Sequence, residues 1–224
     1  MSDSMVQRLV LKDWYFQRWA ILGYLVVGGI ALYLLGHGGE GAFYGGSVLL
    51  ITVLITVGIH LTMATVVGER SQQTLPFVMS LPISPQQYTT AKILANMLIF
   101  LVPWLTLLLG SFAVIAGRAD VPDGLIPFTA VVLTEIFASY TLLFAIALIS
   151  ESQAWTVGGI VFGNLFFQGF LYWIGHIPSL VAANRGNAIH WGGPVAALLL
   201  GELAVIVLSI AVTFFTQARK KDFL

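Results

Sequence analysis

Two carboxyl side chains, Glu135 and Glu202, lie inside long apolar tracts. A charge at such a position costs about 3 kcal/mol on insertion scales, so an ionisable group there is a functional candidate. Neither has a lysine or arginine within its own tract. Each must then be neutral, or bonded to hydroxyls, amides or water. Three roles are open to them: a polar point on a route through the membrane, a proton-sensitive latch, or a neutral carboxyl joining two helices. The tract around residues 159–170, "GIVFGNLFFQGF", adds Gly159 and Gly163 at the spacing that lets helices approach closely. Asn164, Phe166, Phe167 and Phe170 beside them offer amide and aromatic surface. His60 and Asn96, also within tracts, are read as ordinary helix–helix hydrogen-bonding groups.

Other chemistry lacks its residues. The chain has no cysteine, which removes disulfides, thiolate metal sites and cysteine nucleophiles. His176 and His190 have no acids beside them and make a poor metal pair, so no metal is expected. There is no phosphate-binding glycine loop of the G-x-x-x-x-G-K-[ST] type and no H-E-x-x-H. No serine–histidine or paired-aspartate arrangement presents itself either. No catalytic residue is expected, and the chain does not read as an enzyme.

The elements that must position these groups follow from composition. The 224 residues are 58% hydrophobic and 9% charged, against about 25% charged in a soluble domain. Such a chain could not cover its own surface in water, and lipid is its natural solvent. Six tracts reach the roughly 20 apolar residues that cross a bilayer as a helix, at 19–35, 46–67, 91–116, 125–149, 154–174 and 195–215. None alternates with a period of two, and a backbone in lipid must satisfy its own amides, so the fold class is all-α with six spans. Residues 1–224 read as a single membrane domain, with no basic stripe for nucleic acid. The first 19 residues lack the apolar core and small-residue cleavage site of a removable signal peptide.

Basic residues orient the spans. Arg8, Lys12, Arg18, Arg70, Lys92, Arg219, Lys220 and Lys221 fall on one side, and Arg118 and Arg185 on the other. The positive-inside tendency puts both termini and the loop between the second and third spans in the cytoplasm. Trp14, Trp19, Trp155, Trp173 and Trp191 fall at span boundaries, whereas Trp104 lies within the third tract. Residues 1–18 mix Val6, Leu9, Val10 and Trp14 with Arg8, Lys12 and an intruding Asp13, and read as an interfacial helix. The outer loop, 175–194, is long and partly apolar, and could dip back as a short helical hairpin.

The loop at 68–88, "GERSQQTLPFVMSLPISPQQY", stands apart. Glu69 suits a helix start. Leu75, Val78 and Met79 form an apolar ridge at helical spacing, with Thr74 and Ser80 on the polar side. Pro82 and Pro85 end it, and Ser84 with Gln87 makes a cap for the third span. The product is a short semi-apolar helix shaped for a groove on a partner. Glu69-Arg70, Thr74-Leu75, Ser80-Leu81-Pro82-Ile83-Ser84 and Lys92 together resemble the membrane subunits of type-2 ATP-binding cassette (ABC) exporters. Gln73, where that family often has glycine, and Pro76 depart from the pattern.

The resemblance implies an exporter permease whose coupling helix, carried by Glu69, Arg70, Thr74, Leu75, Met79, Leu81 and Pro82, is moved by a separate ABC ATPase. That partner would bind ATP and magnesium, this chain holding no cofactor. It further implies a second permease, identical or closely related, and a fifth span lining the dimer interface and the substrate route. Glycine-mediated packing within one subunit is the alternative for that span. A multi-pass protein of the bacterial cytoplasmic membrane is expected. The haem-export subunit of cytochrome c maturation is a rival by length, and an ion-coupled transporter or channel using Glu135 and Glu202 is a rival of another class.

Overall fold

The computed structural model describes residues 2–71 and 84–219. Among them every secondary-structure element is a helix, with no strand. α1 is Ser2–His37, α2 is Glu40–Thr62 and α3 is Gly68–Ser71, with a π turn at Met63–Val67 joining the last two. After the loop come α4 (Pro85–Gly117), α5 (Leu125–Ser150), α6 (Gln153–Ile174), α7 (Pro178–Asn184) and α8 (Gly193–Arg219). Six helices are long and apolar enough to cross a membrane, at the six places the hydropathy predicts.

Residues 4–18 are continuous with the first span in one helix. α1 runs through all 36 of its residues without interruption. At 1.5 Å per residue that is about 54 Å, against a hydrocarbon core of about 30 Å. A good part of α1 therefore overhangs, and its polar end carries Lys12 and Asp13. No proline interrupts the segment, so nothing in the backbone forces a break between the polar end and the span. Within the 175–194 loop the chain forms one seven-residue helix, α7.

α5 is the middle of the bundle. It is the most deeply buried span, and α2, α4, α6 and α8 all pack on it. α1 packs on α2 and α4. α1, α6 and α8 turn much of their apolar surface outward, as Trp19, Phe162, Leu165, Leu200 and Phe215 show.

Local chemistry accounts for the joints. Ser84 and Gln87 form the expected reciprocal cap: Gln87 N donates to Ser84 Oγ at 3.2 Å, and Ser84 N to Gln87 Oε1 at 2.9 Å. Arg118, just past α4, donates through Nη1 to Leu35 O at 2.5 Å and Gly38 O at 3.1 Å, satisfying carbonyls that the end of α1 leaves open. Trp104, the tryptophan within a span, donates its indole N–H to Leu133 O at 2.7 Å. Its polar edge is satisfied by α5 instead of a headgroup.

α1 and α2 touch backbone to backbone at Gly46. A Cβ there would lie 2.8 Å from Ala31 O and 3.0 Å from Leu35 N, neither of which can rotate away. Gly46→Val is expected to lower stability by about 1–3 kcal/mol, read as a fall in Tm in detergent. An unchanged Tm would show that the two helices separate at little cost.

Candidate functional site

Four charges meet where α1, α3 and α4 converge, at the two ends of the 72–83 loop. Lys92, two turns into α4, is 3% exposed. Its Nζ donates at 2.8 Å to Asp13 Oδ2 and at 2.8 Å to Glu69 Oε1. Lys12 Nζ donates to the same Glu69 Oε1 at 2.8 Å and lies 3.2 Å from Asp13 Oδ1. Tyr88, one turn before Lys92 on the same face, donates its hydroxyl to Glu69 Oε2 at 3.1 Å. Among the described side chains two acids and two bases balance, so these four can be buried without net charge. Burial pushes the Glu69 carboxyl up, but Lys92 and Lys12 more than reverse this and hold it below its ordinary value.

The next turn of α4 continues the polar face inward. Asn96 is fully buried, and its Nδ2 donates to Lys92 O at 3.0 Å. Thr65 Oγ1, in the π turn, sits 2.9 Å from Asn96 Oδ1 and 2.7 Å from Leu61 O, with one proton between them. Tyr140 of α5 donates to Asn96 O at 3.2 Å, and its ring stacks on Phe100 at 4.1 Å. Tyr88, Lys92 and Asn96 thus make a column that leads from the loop to Tyr140.

Tyr140 forms one wall of a small cavity of about 50 Å³ between α2, α5 and α6. Gly159, Gly163, Asn164 and Phe167 line it from α6, Gly58 from α2 and Ser139 from α5. Ser139 Oγ donates to Glu135 Oε1 at 2.9 Å, so Glu135 stands one hydrogen bond behind the cavity. A Cβ on Gly159 would meet Leu143 and Ile146 of α5 at 3.2 and 3.3 Å, whereas one on Gly163 would meet open space. Gly159 therefore serves packing inside this subunit. Phe170 is buried above the cavity's aromatic wall, stacked on Phe166 at 6.5 Å, and does not line it.

The sequence profile of the ABC-2 family transporter proteins matches residues 6–191. The chain belongs to the ABC-2 transporter family. The match takes in the charge cluster, the loop, the polar column and the small cavity, and stops before α8. Comparison with curated proteins and with solved structures returns no match. As an ABC-2 family member, the chain is an integral multi-pass membrane component of a transporter.

Of the residues expected to couple this ABC-2 protein to a motor, Glu69 is placed in the cluster. Arg70 lies in α3. Thr74, Leu75, Met79, Leu81 and Pro82 lie outside the described residues. Asp13 and Lys92 belong to the site; from the sequence Asp13 reads as an intrusion in an apolar seam, and Lys92 as an orientation signal and the last residue of the exporter-like motif. A single acid in the overhang of α1, and a single base at the entry of α4, were the available hints.

Glu202 is a buried residue of α8, the helix that packs on α5, which carries Glu135. It is 5% exposed, and neither of its carboxyl oxygens has a hydrogen-bond partner among the described residues. Glu202 does not line the small cavity.

Proposed function

We propose that this chain is the permease subunit of an ABC exporter, moving its substrate out across the membrane with energy from ATP hydrolysed by a separate ATPase. The observation that carries the reading is the fastening of the 72–83 loop. Glu69 precedes it, Tyr88 and Lys92 follow it, and Asp13 and Lys12 tie both ends to α1. A displacement of Glu69 or of the start of α4 is therefore passed to α1 as well. The polar column then gives that displacement a route to the cavity between α2, α5 and α6. The ATPase docks on 69–81, and ATP and magnesium belong to it. A second permease packs partly through α6, whose Phe162, Leu165 and Phe166 face outward beside the open Gly163. The bacterial cytoplasmic membrane is the setting this arrangement suits, with the loop on the ATP side.

The test is co-purification. Leu75→Asp or Leu81→Asp should remove the ATPase from the purified complex by tenfold or more while the permease still inserts in the membrane. Retention of the ATPase with full coupling would overturn the docking assignment.

A further inference from the structure

A second, larger cavity lies at the end of the bundle away from the 72–83 loop. It measures about 280 Å³ and is enclosed by the end of α1, the first half of α2, the last turns of α4 and the first turns of α5. Leu35, Leu50, Ile51, Val114, Phe128 and Leu133 supply its walls. Its serine hydroxyls are turned onto their own helices: Ser47 Oγ donates to Phe43 O at 2.9 Å, and Ser111 Oγ to Leu107 O at 2.7 Å. The space is many times the roughly 30 Å³ of one water, yet it offers water few partners. Hydrocarbon is the matching occupant at this depth.

The lip of the cavity is charged. Phe43 and Leu35 line the cavity, and the Arg118 guanidinium lies 5.7 Å over the Phe43 ring and donates to Leu35 O. Its bonds to Leu35 O, Gly38 O and both carboxylate oxygens of Asp120 occupy four N–H groups of the five an arginine has. One donor is left over, on a side chain that four bonds hold still. The Asp120 carboxylate beside it is 69% exposed and has lone pairs to spare. The lip thus presents a fixed cation and an open anion side by side, above an apolar slot. A purely anionic amphiphile would meet Asp120 unfavourably, and a neutral one would use neither charge.

We propose that this cavity binds one zwitterionic aminophospholipid, with an acyl chain in the slot, its phosphate on Arg118 and its ammonium on Asp120. Headgroup recognition by basic pockets between spans is a known mode of lipid binding. Here the acid adds selectivity for an amine.

The experiment uses the full chain, purified and placed in nanodiscs of equal parts phosphatidylethanolamine and phosphatidylglycerol, with retained lipid counted by native mass spectrometry. One phosphatidylethanolamine per chain is expected, retained at least tenfold over phosphatidylglycerol. Val114→Phe, which fills the slot, should reduce retention by tenfold or more. Asp120→Asn, at an exposed position, should leave Tm unchanged and abolish the preference between the two lipids. Equal retention of both lipids by the wild-type chain would overturn the proposal. So would lipid retention untouched by Val114→Phe, including the case where that variant alters the oligomeric state instead, which would assign the cavity to a second copy of the chain.

Discussion

Replacing Lys92 with methionine is expected to destabilise the folded chain by about 3–5 kcal/mol, the usual penalty for removing one partner of a buried ion pair. The side chain is 3% exposed and stands between two carboxylates at 2.8 Å each. Without it, Asp13 and Glu69 share, among the described side chains, Lys12, which is partly exposed and already engaged with both. Denaturation in detergent measures the loss. Adding Asp13→Asn to the Lys92→Met chain should recover part of it, because the stranded charge goes too. A loss below about 0.5 kcal/mol would mean that water reaches the cluster, and would remove it as a fastening.

The same cluster sets a pH dependence. The folded-state value of Glu69 is held below its ordinary 4.5, so its contribution is fully present above the unfolded value. It is lost as pH falls through the folded one. Wild-type Tm should therefore decline on acidification below about pH 4.5, and Glu69→Gln should flatten that part of the curve.

Glu202→Leu is expected to act in the opposite sense, raising stability by about 1–3 kcal/mol. Both carboxyl oxygens are buried without a partner among the described residues, and an unsatisfied buried polar group costs about that much. Glu135→Leu should not share the gain, because it takes away the acceptor of Ser139. Higher Tm with transport lost would mark Glu202 as a working group kept at the expense of stability. A fall in Tm would show that the carboxyl is satisfied by something outside this chain.

Much of the architecture was legible because each span is specified locally. Twenty apolar residues with charged ends need no distant information to be recognised, and the Ser84–Gln87 cap sits three residues apart. The site was only half legible, because its parts meet across the fold. Asp13 and Lys92 are 79 residues apart, and Lys92 and Glu69 are 23 apart. No periodicity announces such a pairing. Gly159 and Gly163 show the limit from another side. Their spacing suggests close helix packing, but does not say that Gly159 meets α5 side chains while Gly163 faces open space.

The π turn at Met63–Val67 gives the junction a mechanical property. A π turn accommodates one more residue than the α turn it replaces, and such turns recur at functional sites. Winding it back to α geometry would advance everything beyond it by one residue's step, about 100° around the axis and 1.5 Å along it. Glu69 lies two residues past the turn, and Thr65 within it contacts Asn96. Rewinding the turn would therefore give Glu69 and the chain just beyond it a discrete second position, like a slipped tooth in a gear. The rest of α2, locked against α1 at Gly46, stays where it is.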